Sequence, residues 1–137
     1  MGKLSAEEIR DLARRIAMDT LAPRASEIDQ KRSFPWENIY ELRKAGLWGV
    51  GISEKEEDFE FNRVCFAMLV KEIAKACAST ALIYVSHTIV VKAIEYAGSK
   101  AVKEKCPPEI FRKRVLGAFA VHEPDCGSNA GAITTRA

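Results

Sequence analysis

The sequence predicts a mainly α-helical bundle that ends in one short β-strand. Three observations carry this prediction. A helix-start signature stands at Ser5 and Glu8, and apolar residues recur at three- and four-residue spacing to about residue 112. Beyond Arg114 that spacing is lost, and a short, apolar, glycine-containing run begins. The 137 residues, 47% hydrophobic and 29% charged, suit one soluble domain, or one domain plus a piece of another. Twenty-one Lys and Arg against 19 Asp and Glu leave a charge of +2, too small a surplus for a chain whose main partner is nucleic acid.

The first helix starts where Ser5 and Glu8 form an S-x-x-E capping box, with Leu4 and Ile9 placed as a hydrophobic staple. Ile9, Leu12, Ala13, Ile16, Ala17 and Leu21 then form one apolar stripe. Pro23 is expected to kink or stop this helix, the apolar stripe can resume through Ile28, and Asp29 to Ser33 reads as a loop. Pro35 opens a second helix that turns Ile39, Leu42 and Ala45 inward and ends at Gly46. Leu47 to Ile52, with two glycines, reads as a turning passage packed on the core, and the acid-rich segment Glu54 to Glu60 as a solvated loop. From Phe61 the positions Val64, Cys65, Met68, Leu69, Ile73 and Ala76 are helical again. The run from Thr80 to Tyr96 is apolar on nearly every side and predicts the central helix, ended by Gly98. Ser99 to Cys106 is a short amphipathic helix stopped by Pro107 and Pro108, and Val115 to Val121 is the strand.

A single strand is not a stable unit, so another polypeptide or a longer chain must complete it. Cys65, Cys77, Cys106 and Cys126 lack any CxxC pairing and read as reduced, mostly packed thiols. The first residues show no secretory signal, which favours an intracellular, cytoplasmic location. The uncharged run between Lys75 and Lys92 is too short and too polar for a membrane span.

Few residues are candidates for chemistry. His87, in the most apolar helix, is either a core histidine satisfied by a backbone or hydroxyl partner or part of a pocket lining. His122, beside Glu123 at the end of the strand, is a general base or a structural or ligand contact. Asp125 to Asn129 offers small residues, successive N–H groups and a hydroxyl, which suits an anion or a plain β-turn. The acidic run at 54 to 60 lacks the ligand spacing of a calcium loop, and no metal site is assigned.

Several stretches together resemble the N-terminal part of the flavin-dependent acyl-CoA dehydrogenases. They are Pro23-Arg24-Ala25 with Asp29, Phe34-Pro35, Leu42 to Val50, Ser86-His87-Thr88, Gly98-Ser99 and, most specifically, Gly117 to Asn129. The last is similar to the family signature Ala-Leu-Thr-Glu-Pro-x-x-Gly-Ser-Asp. The resemblance implies an N-terminal helical domain over residues 1–114 and the incomplete beginning of a middle β-barrel domain over 115–137. It further implies FAD held by Phe119, Ala120, Val121, His122, Gly127 and Ser128, and an acyl-CoA substrate met by Ser128, Val85, His87 and Ile89. The family oxidises the Cα–Cβ bond of a thioester and passes a hydride to the flavin. Its catalytic glutamate belongs to a C-terminal helical domain, so no catalytic residue is assigned within these 137 residues, and the chain is not expected to be active alone. The alternatives are a non-catalytic assembly module of the same descent and part of a flavin-dependent oxygenase of the same fold. A homo-oligomer or a further polypeptide segment is expected to complete the site, and a flavoprotein electron acceptor is a further implied partner. Three departures stand out: His122 replaces the usual Thr, Asn129 replaces Asp, and Ser53 to Asp58 lacks the glycines of the family's Pro-Glu-x-x-Gly-Gly loop.

Overall fold

The computed structural model describes residues 4–50, 59–106, 115–124 and 126–135, with the side chains of 59–62 excepted. The order is α1 (Ala6–Ile16), a π-turn (Ala17–Leu21), α2 (Ala22–Lys31), α3 (Trp36–Lys44), α4 (Phe59–Ala76), α5 (Ala78–Ala97), α6 (Lys100–Lys105) and a 3₁₀ turn (Ala130–Ala132). The capping box forms as the sequence indicates: Glu8 N–H donates to Ser5 Oγ, and Glu8 Oε2 accepts from Ser5 N–H at 2.7 Å.

Pro23 does not end the helix. Its ring lacks an N–H and crowds the carbonyl four residues back, which breaks a regular α-turn. Here the preceding turn is widened, so that Ala22 N–H reaches Ala17 O, and α2 continues to Lys31. The loop expected at Asp29 therefore starts only at Arg32, whose φ of 51° reverses the chain. Ser33 N–H then closes on Ile28 O at 3.1 Å. Gly46, at φ 73°, ends α3 in the same way, and Leu47 N–H returns to Leu42 O at 3.0 Å.

α1 packs on α4 and α4 on α5, while the π-turn leans on α4 and α3. Between them lies a core of Ile9, Ala13, Leu21, Ile39, Leu42, Leu47, Trp48, Cys65, Leu69, Ile73, Cys77, Ala81 and Tyr84. A buried hydrogen bond of 2.9 Å from Asn38 Nδ2 to Thr80 Oγ1 ties α3 to α5. All four cysteines are free thiols, three of them buried.

α5 is less central than its composition suggests. Thr80, Ala81, Tyr84, His87, Thr88 and Val91 are buried, whereas Leu82, Ile89 and Tyr96 on the other side are exposed. No strand forms among the described residues: 115–122 has no regular secondary structure, and Glu123 makes only an isolated bridge to Cys126. The expected strand at Val115 to Val121 is not borne out among the described residues, where no neighbouring segment completes a ladder. The loop expected at 54–58 and the stop at Pro107 and Pro108 lie outside the described residues. No described helix is long and apolar enough to cross a membrane.

Candidate functional site

The segment 115–122 crosses α5 over a compact polar and aromatic cluster. Tyr84, fully buried on α5, anchors the chain that follows α3: its one hydroxyl proton is shared between Leu47 O at 2.7 Å and Val50 O at 3.1 Å, and its oxygen accepts from Gly49 N–H at 3.2 Å. That turn delivers Trp48, which meets Tyr84 edge-on at 5.1 Å and stacks on His87 at 4.8 Å. The guanidinium of Arg43, from α3, lies 5.3 Å from the Trp48 ring centroid, and burial pushes its pKa down.

Two hydrogen bonds seat the crossing segment on this cluster. Gly117 N–H donates to His87 Nδ1 at 3.0 Å, and Arg43 Nη2 donates to Val115 O at a longer 3.4 Å. Because Nδ1 accepts, the imidazole is neutral and carries its proton on Nε2. Beyond this seat, Ala118, Phe119, Ala120 and His122 are exposed and Val121 is half-buried. No main-chain hydrogen bond joins 118–122 to any other described residue.

The loop that follows closes on itself. Glu123 Oε2 accepts from Thr134 N–H and Oγ1, both at 3.0 Å, and Oε1 accepts from Thr135 N–H at 2.7 Å. Cys126 Sγ donates to Asn129 O at 2.7 Å. Gly127 and Ser128 stay exposed at the bend, and a Cβ added at Gly127 would come within 4.0 Å of His122 Cδ2, so the imidazole lies beside that glycine.

The side chain of Thr135, followed by the N–H groups of Thr134 and Thr135, holds the Glu123 carboxyl down at about 2. The sign follows from this depression. The closure contributes stability above the ordinary value of 4.5 and loses it as pH falls toward the folded value. The Thr134 and Thr135 amide shifts are expected to titrate with a midpoint near 2, and Glu123→Gln to abolish that titration. A midpoint at 4.5 would show a solvated carboxylate instead.

The structure divides the predicted substrate residues. Val85 and Ile89, one turn apart, share the side of α5 that carries exposed Leu82 and Tyr96. His87 points the other way, fully buried beneath Gly117. Gly127 lies beside the His122 imidazole, so Gly127-Ser128 and Phe119 to His122 are neighbours at the open end of the same segment. Sequence reasoning missed Arg43, Trp48 and Tyr84, whose roles arise only from tertiary contact. Gly117 carried a signal, since a glycine inside an apolar extended run marks close backbone approach.

The family described as acyl-CoA dehydrogenase, N-terminal domain, matches residues 5–114. Acryloyl-CoA reductase (NADH) of Anaerotignum propionicum is 37% identical over 96% of this chain and 33% of its own length. Cyclohex-1-ene-1-carbonyl-CoA dehydrogenase of Syntrophus aciditrophicus (strain SB) is 36% identical over 100% of the chain and 34% of its own length. A short-chain-specific acyl-CoA dehydrogenase of Clostridium acetobutylicum is 28% identical over 94% of the chain and 34% of its own length. The chain thus spans about a third of the length of the curated relatives it matches.

Proposed function

This chain belongs to the acyl-CoA dehydrogenase family, and from that premise we propose that it forms the N-terminal part of an FAD-dependent enzyme acting on the Cα–Cβ bond of an acyl-CoA thioester. The observation that carries the proposal is the main chain of 118–122, apolar in its side chains apart from His122 and without main-chain partners among the described residues. A flavin ring has a flat apolar face and an edge of alternating acceptors and one N–H, so such a segment suits it in both respects. Gly127 and Ser128 add exposed N–H groups and a hydroxyl for an anionic part of FAD or of the substrate. When bound, the flavin supplies the hydride chemistry.

The chain's own residues then bind and orient. Phe119, Ala120, Val121 and His122 align the ring, Gly127 and Ser128 meet an anion, and Val85 and Ile89 offer apolar surface to the acyl chain. The relatives' names differ in direction, one a reductase and two dehydrogenases, and the same set of contacts serves either. The base or acid is supplied from outside this chain, which alone is inactive. The exposed Leu82, Ile89 and Tyr96 of α5 favour cover by a second copy or a further polypeptide segment, and a flavoprotein accepts the electrons.

The test is the visible absorption spectrum of the chain after incubation with FAD and removal of the excess. Retained flavin bands are expected, and Ser128→Ala should weaken retention by roughly tenfold or more, the loss of one hydrogen bond to a charged group. A natively folded chain that retains no flavin overturns the assignment of these residues as a sufficient flavin site.

A further inference from the structure

We infer that His87 is a positioning residue: its Nδ1, together with Arg43, fixes where the 115–117 segment crosses α5 and so holds 118–122 in place. The inference rests on the proposed flavin role only for its functional meaning, since its geometry stands by itself.

Three features point the same way. Gly117 N–H meets His87 Nδ1 at 3.0 Å, a good hydrogen bond to a ring whose residue is fully buried and stacked on Trp48. A buried imidazole clamped by an indole cannot follow a moving loop, so the loop must take its height from the ring. Val115 O is held two residues earlier by Arg43, which itself lies over the same Trp48. Gly117 also approaches α5 so closely that an added Cβ would lie 2.9 Å from Val90 Cβ. The crossing point is therefore set by an acceptor, a donor and a steric floor. Immediately downstream, 118–122 has no main-chain partners among the described residues and depends on this seat for its position. Val85 and Ile89, on the other side of α5, take no part in it.

The experiment uses the ¹⁵N-labelled 137-residue chain and three variants. His87→Leu keeps bulk but removes the acceptor; His87→Asn restores an oxygen close to the Nδ1 position; Ile89→Ala is a control on the opposite side of the helix. Amide exchange at Gly117 is expected to be roughly tenfold faster in His87→Leu, and backbone order at 118–122 to fall with it. In His87→Asn both should return to within about threefold of the parent. Unchanged Gly117 exchange and unchanged order in His87→Leu overturn the inference, as does a loss in the Asn variant equal to that in the Leu variant. If His87→Leu fails to fold, the parent chain decides: a through-hydrogen-bond ¹⁵N–¹⁵N coupling between Gly117 and His87 Nδ1 supports the seat, and its absence overturns it. None of these readouts uses flavin. Failure of the chain to retain FAD with the seat intact therefore counts against the proposed function alone.

Discussion

Tyr84→Phe is expected to lower the unfolding free energy by about 2–3 kcal/mol, because it strips a partner from one N–H and two carbonyls in a largely buried turn. The lost contacts are those to Gly49 N–H, Leu47 O and Val50 O. Phenylalanine keeps the ring that meets Trp48 edge-on, so the packing contribution stays and the hydroxyl is isolated. Burial also raises the Tyr84 pKa above its ordinary 10.0. An acid whose folded pKa is raised contributes stability below the unfolded value and loses it above, as the unfolded chain ionises first. Urea melts of the parent should therefore weaken above pH 10 in a way that Tyr84→Phe does not. Tyr40→Phe, at an exposed position, should change neither quantity. Equal midpoints for Tyr84→Phe and the parent would remove the hydroxyl from the list of what holds the turn.

The elements legible in the sequence are those whose ends are written locally. Ser5 with Glu8 starts α1, Gly46 ends α3 at a positive φ, and Gly98 ends α5. Each needs only a cap residue and a few neighbours to be recognised. At Pro23 local rules leave a kink or a stop open, and the chain widens the preceding turn and continues past Ile28. That choice keeps Ala17 and Leu21 buried against α3 and α4, a tertiary gain that no local pattern records. Thr80 to Tyr96 misleads: composition indicates burial all round, yet Leu82, Ile89 and Tyr96 are left bare in a chain of about a third of its relatives' length. At the candidate site, Phe119 to His122 and Gly127-Ser128 could be proposed from sequence because they lie in one contiguous stretch that resembles the family signature. Arg43, Trp48, Tyr84 and His87 come from three separate elements and meet only on folding, so their joint role in seating Val115 and Gly117 has no linear trace.

Gly117→Ala is expected to unseat the segment and to abolish flavin retention, with a cost in stability of about 1–3 kcal/mol from overpacking. The new methyl would lie 2.9 Å from both Cβ and Cγ1 of Val90 and 3.5 Å from His87 Nδ1. Gly117 does not have a positive φ, so the penalty is steric rather than conformational. Val90 cannot turn aside, because a β-branched side chain in a helix has one strongly preferred rotamer. The segment must rise, and the 3.0 Å bond from Gly117 to His87 lengthens as it does. Val90→Ala removes Cγ1 and leaves Cβ in place, so the double variant should recover part of the stability and part of the flavin retention lost in Gly117→Ala. Two additive losses in that cycle would mean that contact with Val90 is not what unseats the segment, and that α5 does not form the floor on which the proposed flavin-facing segment rests.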